Sequence, residues 1–220
     1  MKKTDYANRE DAAQSIADAI ISDLITLLTA QDTVTVAVAG GTTPAPIFDI
    51  LAQAELDWSR VEVMASDERW VPETHERSNA QMIRARLITG TAAAAKFVPF
   101  FAEDLTPEEG AEALSETIKS VDLILLGMGE DMHTASLFPG TEGLDAGLAP
   151  DAPAFVVMRP ASQPEARISL SARVLNAAKH KHLAIYGNGK ADALAKAQEL
   201  PPKDAPIAAV LSEMHVHWAP

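Results

Sequence analysis

The chain alternates between segments with helical hydrophobic spacing and short runs of aliphatic and β-branched residues, and that alternation constrains the fold more than any other feature. Between Asp11 and Thr29, residues Ile16, Ile20, Leu24, Leu27 and Leu28 recur on one helical face. Directly afterwards "TVTVAVA", Thr33 to Ala39, has the pattern of a strand buried on both faces. "RVEVMAS" repeats the strand pattern, and Ser78 with Gln81 predicts a capping box for a helix reaching Leu87. Thr106, Pro107 and Glu109 predict the start of another helix. "VDLILLG", "AFVVM" and "HLAIYG" then read as strands, with helices from Ser171 to Lys179 and after Gly189, and a last short strand near Val216. Strands separated by helices need crossover connections. The expected fold is therefore α/β: a doubly wound, mostly parallel sheet with helices on both faces, forming three layers. Ligands of such sheets bind beyond the carboxyl ends of the strands.

At 220 residues, one domain spanning 1–220 is expected. The segments "GLAPDAPA" and "LPPKDAP" are too short for domain linkers and read as surface loops. A formal charge of -13, from 18 basic and 31 acidic residues, repels a nucleic-acid backbone. An anionic ligand must then be small and held by a few local cations. The lack of cysteine excludes disulfides, thiolate nucleophiles and thiolate-bound zinc, and agrees with a reducing, cytoplasmic location. Acidic residues follow the two N-terminal lysines, and Asp18 and Asp23 interrupt the next apolar stretch, so neither a signal peptide nor a membrane span is expected.

Polar clusters crowd the predicted strand ends. In "AVAGGTTPAPI" the strand stops at Gly40-Gly41, Thr42 and Thr43 follow, and Pro44 takes the first helical position. Backbone N–H groups there, with the two hydroxyls, suit a phosphate, although a plain Gly-Gly turn has the same sequence. In "SDERWVPETHERSN", Asp67, Glu68 and Arg69 end an apolar strand and Ser78-Asn79 begin a helix. This is either a ligand-facing cluster or a solvated ion pair.

The most specific stretch is "LGMGEDMHTASLFPG", Leu126 to Gly140. Gly127 and Gly129 allow close backbone approach, Asp131 is placed to cap a short helix starting near His133, and that helix start would keep the imidazole neutral. A neutral histidine is suited to general-base work. Ser136 has no nucleophile-elbow context. Arg167 in "PEARISLS" and Lys190 in "YGNGKADAL" supply cations. Neither a Walker A loop nor a dinucleotide fingerprint is complete, since no Ser or Thr follows Lys190 and Met132 stands at the third glycine position. His215 with His217, and His180 with His182, lack a carboxylate or third histidine at ligand spacing, so no metal site is expected.

Together "GGTTP", "SDERWVP" with its later "SN", "LGMGEDMHTASLFPG", "ARISLS" and "GNGKADAL" resemble, in order and nearly end to end, the family of 6-phosphogluconolactonases and glucosamine-6-phosphate isomerases. The resemblance implies hydrolysis of 6-phosphoglucono-1,5-lactone to 6-phosphogluconate in the oxidative pentose phosphate pathway, without a cofactor. His133 matches the catalytic histidine of a "DGHTASLFP"-like motif, Asp67 and Arg69 the active-site pair, and Thr42, Thr43, Arg167 and Lys190 the positions that bind the sugar phosphate. Asp131 is expected to orient His133, with Arg69 or the Gly127 to Gly129 backbone facing the oxyanion. Arg69 and the Thr134 to Pro139 run favour the lactonase branch over the deaminase branch. Met132 departs from the motif, which has glycine there; a left-handed backbone at that position costs methionine about 1–2 kcal/mol. A monomer or homodimer acting on a small phosphosugar lactone, with no nucleic-acid or membrane partner, is the expectation. A deaminase and a noncatalytic sugar-phosphate sensor are the alternatives.

Overall fold

A computed structural model describes residues 1–220 apart from Ser162. The chain runs β1 (Lys2–Asp5), α1 (Arg9–Ala30), β2 (Val34–Val38), α2 (Ala45–Leu51), β3 (Val61–Ala65), β4 (Asp67–Arg69), α3 (Asn79–Arg86), β5 (Lys96–Phe97) and α4 (Pro107–Thr117). It continues through β6 (Leu123–Leu126), α5 (Leu144–Leu148), β7 (Phe155–Met158), β8 (Arg167–Leu170), α6 (Ala172–Ala177), β9 (His180–Tyr186), α7 (Asn188–Ala197) and β10 (His215–Ala219).

Seven strands form a parallel sheet in the order β1-β10-β9-β6-β2-β3-β5. The expected doubly wound sheet is present. The apolar runs are continuous because both faces are covered: along β6, Leu123 and Leu125 join one core cluster while Ile124 and Leu126 join the other. α1 lays Ile16, Ile20, Leu24 and Leu27 into the first of these clusters. By length and composition alone α1 could cross a membrane; here its apolar face is core.

Three expectations change. "AFVVM" is a strand, but as β7 it pairs antiparallel with β8, which pairs antiparallel with β4, in a separate three-stranded sheet. No helix starts near His133. Met132 and Ala135 have φ of 66° and 49°, and this left-handed backbone breaks helical continuity. Asp131 therefore caps no helix, and no helix start sets the charge state of the imidazole. Ser78 does accept from the Gln81 N–H at 3.2 Å, but the Gln81 side chain turns to the Thr74 carbonyl instead of closing the box. Thr106 and Glu109 form the full capping box.

From β2 the chain winds outward through β3 and β5, then returns to place β6 on the other side of β2. The winding direction reverses between β2 and β6, and a crevice opens beyond the carboxyl ends of those two strands.

Candidate active site

The crevice is lined by the segments after both strands: Gly40, Gly41, Thr42 and Thr43 after β2, and Gly127, Met128 and Gly129 after β6. Arg69 and Asp67 from β4, Arg167 from β8, Asn79 from α3, Lys190 from α7 and His133 complete the wall. The small antiparallel sheet thus delivers the arginines to the mouth of the large parallel one. Of the expected site residues, Asp131 alone stands behind the wall, reaching the crevice through His133.

Two glycines are demanded by close approach. A Cβ on Gly40 would lie 2.0 Å from Asn79 Oδ1, and one on Gly129 would lie 2.3 Å from both Asp131 Oδ1 and His133 Nδ1. Gly129 therefore lets the Asp131–His133 pair form. Asp131 Oδ1 meets His133 Nδ1 at 2.5 Å and accepts the His133 backbone N–H at 3.2 Å. With Nδ1–H donating to this carboxylate, the Nε2 lone pair is left for the crevice. The ring stacks obliquely on Phe138 at 4.2 Å between centroids. Gly129 N–H donates to the His133 carbonyl, and Ile207 N–H donates to the Met132 carbonyl, fixing the loop from two sides.

The same crevice carries a cationic wall. Arg69 Nη1 donates to the Arg77 carbonyl and, at 3.1 Å, to Asn79 Oδ1. Asn79 Nδ2 in turn donates to the Asp67 carbonyl at 2.7 Å. Arg167 is 5% exposed, with Nη1 3.7 Å from Asp67 Oδ2 and its guanidinium 5.3 Å from the Phe138 ring centroid. Burial, with Arg69 and Arg77 nearby, pulls the Arg167 pKa below the usual arginine value, and Asp67 opposes that pull. The Nε atoms of Arg69 and Arg167 are both buried without a protein partner among the described residues. Buried donors of this kind are rare unless a ligand or water takes them. The Ser136 hydroxyl is buried and donates to Asp67 Oδ2.

Three contributors were not assigned a site role from sequence. Asn79, noted there only as a helix start, holds Arg69 and covers Gly40. Glu68, 3% exposed, accepts from the backbone N–H groups of Arg69, Asn79 and Ala80 and from Ser78 Oγ. It ties the "DER" and "SN" segments together. Burial pushes its carboxyl up, and those hydrogen bonds pull against the rise. The Glu130 carboxylate packs against Gly189 beside Lys190, where a Cβ would lie 2.6 Å from Oε1. The spacing of "DER" to "SN" was the available signal for the first two; Glu130 had none.

A switch-point crevice pairing a histidine–carboxylate couple with one buried and one partly buried arginine defines an α/β protein built to handle a small anion. The chain belongs to the family described as glucosamine-6-phosphate isomerases/6-phosphogluconolactonase, whose sequence profile matches residues 7–218. Within that family it is similar to the 6-phosphogluconolactonase of Pseudomonas aeruginosa, 36% identical and covering 98% of this chain and 93% of the relative. It is equally similar to that of Rhizobium meliloti, 36% identical over 98% of this chain and 97% of the relative. The crystal structure of a 6-phosphogluconolactonase from Shewanella baltica superimposes with a TM-score of 0.91 at 30% identity, covering 100% of this chain and 98% of the other.

Proposed function

We propose that the chain hydrolyses 6-phosphoglucono-1,5-lactone to 6-phosphogluconate in the oxidative pentose phosphate pathway. The observation that carries this reading is that one crevice is lined by His133, with Asp131 on Nδ1, and by Arg69 and Arg167, whose buried Nε atoms have no protein partner among the described residues. The phosphate sits on the Gly40 to Thr43 turn with Arg167 and Lys190, where backbone N–H groups and cations offset a chain charge of -13. The lactone carbonyl then lies by His133. Nε2 removes a proton from water as water attacks the carbonyl, and Asp131 stabilises the imidazolium that forms. Arg69, or N–H groups of the Gly127 to Gly129 loop, stabilises the tetrahedral oxyanion. Collapse expels the ring oxygen, which takes the proton back from His133. Asp67 acts by holding Arg167 and Ser136, and the chain needs no cofactor for these steps.

On this reading one cytoplasmic unit spans the chain, acting as a monomer or homodimer on a small phosphosugar lactone rather than on nucleic acid or a membrane. The test is hydrolysis of freshly generated lactone, coupled to 6-phosphogluconate dehydrogenase and corrected for spontaneous opening. Acceleration by the wild-type protein is expected. No acceleration, with ammonia released from glucosamine 6-phosphate, would move the assignment to the deaminase branch.

A further inference from the structure

The two histidine pairs that looked isolated in the sequence meet in the fold. Parallel pairing sets His215 of β10 opposite His182 of β9, and His217 follows on the same face two residues on. One ring nitrogen from each of His182, His215 and His217 lies within 4.8 Å of the other two. The expectation that neither pair has a third histidine or a carboxylate within reach is therefore corrected. His182 and His217 are 3% and 0% exposed, while His215 is partly open to solvent and gives a route in.

Each ring is also held from behind by a different element. His182 Nε2 lies 2.8 Å from Asp23 Oδ2 on α1, and the other oxygen of that carboxylate lies 2.9 Å from His180 Nδ1. His217 Nδ1 lies 2.8 Å from the Tyr6 hydroxyl, and His215 Nε2 lies 2.9 Å from Thr4 Oγ1 on β1. The remaining nitrogens of His182 and His217 face each other, with His182 Nδ1 and His217 Nε2 3.1 Å apart. Two imidazole nitrogens bound tetrahedrally to one zinc ion stand roughly 3.3 Å apart, given bonds of about 2.0–2.1 Å. Metal-bound histidines characteristically carry a carboxylate, hydroxyl or carbonyl on the second nitrogen.

We propose that His182, His215 and His217 bind a late first-row divalent metal ion, with Asp23, Tyr6 and Thr4 as their outer partners. An all-imidazole set suits zinc, nickel, copper or cobalt and disfavours magnesium and calcium. The His215 nitrogen, within 4.8 Å of the other two, is the one that must close in for all three to bind one ion. Without metal, His217 Nε2–H donates to His182 Nδ1. On binding, that proton moves to Nδ1 of His217 and faces the Tyr6 oxygen, which accepts it and turns its own proton away. The ion would join β1, β9, β10 and α1 in the amino-terminal half of β9 and β10, away from the crevice at the carboxyl ends.

The experiment is calorimetric titration of chelator-treated protein with Zn²⁺, repeated on His215→Ala, Asp23→Asn and His133→Ala. One ion per chain is expected for the wild type, with a raised Tm. His215→Ala, whose ring is partly exposed, should keep its metal-free Tm and lose the site. Asp23→Asn should weaken binding by about 10–100-fold, and His133→Ala should bind as the wild type does. Absence of binding by the wild type, or binding that survives His215→Ala unchanged, would overturn the proposal. Binding lost only in His133→Ala would place the ion in the crevice and overturn it equally.

Discussion

Met132, immediately before the candidate base, has φ of 66°. For an L-residue this region costs about 1–2 kcal/mol relative to the right-handed one, whereas glycine enters it freely. The Met132 side chain is half-buried against the core, so truncation also loses contacts. Full burial of a methionine contributes about 1.5–3 kcal/mol, and half of that is about 1 kcal/mol. Met132→Gly alone is therefore nearly neutral, because relief of strain offsets lost contact and added unfolded-state entropy. The informative comparison is with Met132→Ala, which loses similar contacts and keeps the strain. Glycine normally destabilises relative to alanine by about 0.5–1 kcal/mol. Here the order should reverse, with Met132→Gly more stable than Met132→Ala by about 1 kcal/mol. Urea unfolding with linear extrapolation measures the difference; for a chain of this length it corresponds to about 2–4 °C in Tm. If the alanine variant equals or exceeds the glycine variant, the backbone at Met132 is not left-handed in solution and the account of the His133 loop is wrong.

His133→Ala should lower kcat by about a hundredfold or more while still binding the phosphosugar; near-full activity in the coupled assay would remove His133 from the mechanism. Lys190→Ala should mainly raise KM and Arg69→Ala should mainly lower kcat, so an unchanged saturation curve for the lysine variant contradicts the phosphate assignment. Glu68→Gln sets an NH₂ group against donors already aimed at a carboxylate, and should destabilise the fold by about 1–3 kcal/mol in urea unfolding. A neutral result would mean that Glu68 does not organise the Arg69 and Asn79 segments.

What the sequence revealed follows from where each residue's signal comes from. Leu123 to Leu126 are buried on both sheet faces, so their pattern alone identifies a central strand. Asp67 to Arg69 and Lys2 to Asp5 are strands made largely of charged residues, and tertiary pairing rather than propensity makes them extended. Most crevice residues could be nominated because they follow an apolar run, and Arg167 because it opens one, both local properties. The role of Asn79 depends on touching Gly40 across the crevice, and the meeting of His182 with His217 depends on strand register. Neither is written in local spacing. The false helix at His133 arose because Asp131 resembles a cap, whereas the hydrogen bond from Met132 N–H to the Gly129 carbonyl closes a tight turn instead.

The edge strand β1 has β10 as its one neighbour in the large sheet, with Lys2 N–H donating to the Met214 carbonyl and Tyr6 N–H to that of Trp218. During translation, then, β1 has no partner in the sheet until β10, about 210 residues further along the chain, has been made, about 10–40 s later at about 5–20 residues per second. The nascent chain can assemble β2, β3 and β6 as they emerge. It must carry β1 unpaired throughout, and its polar "KKTD" sequence suits a segment that waits in water.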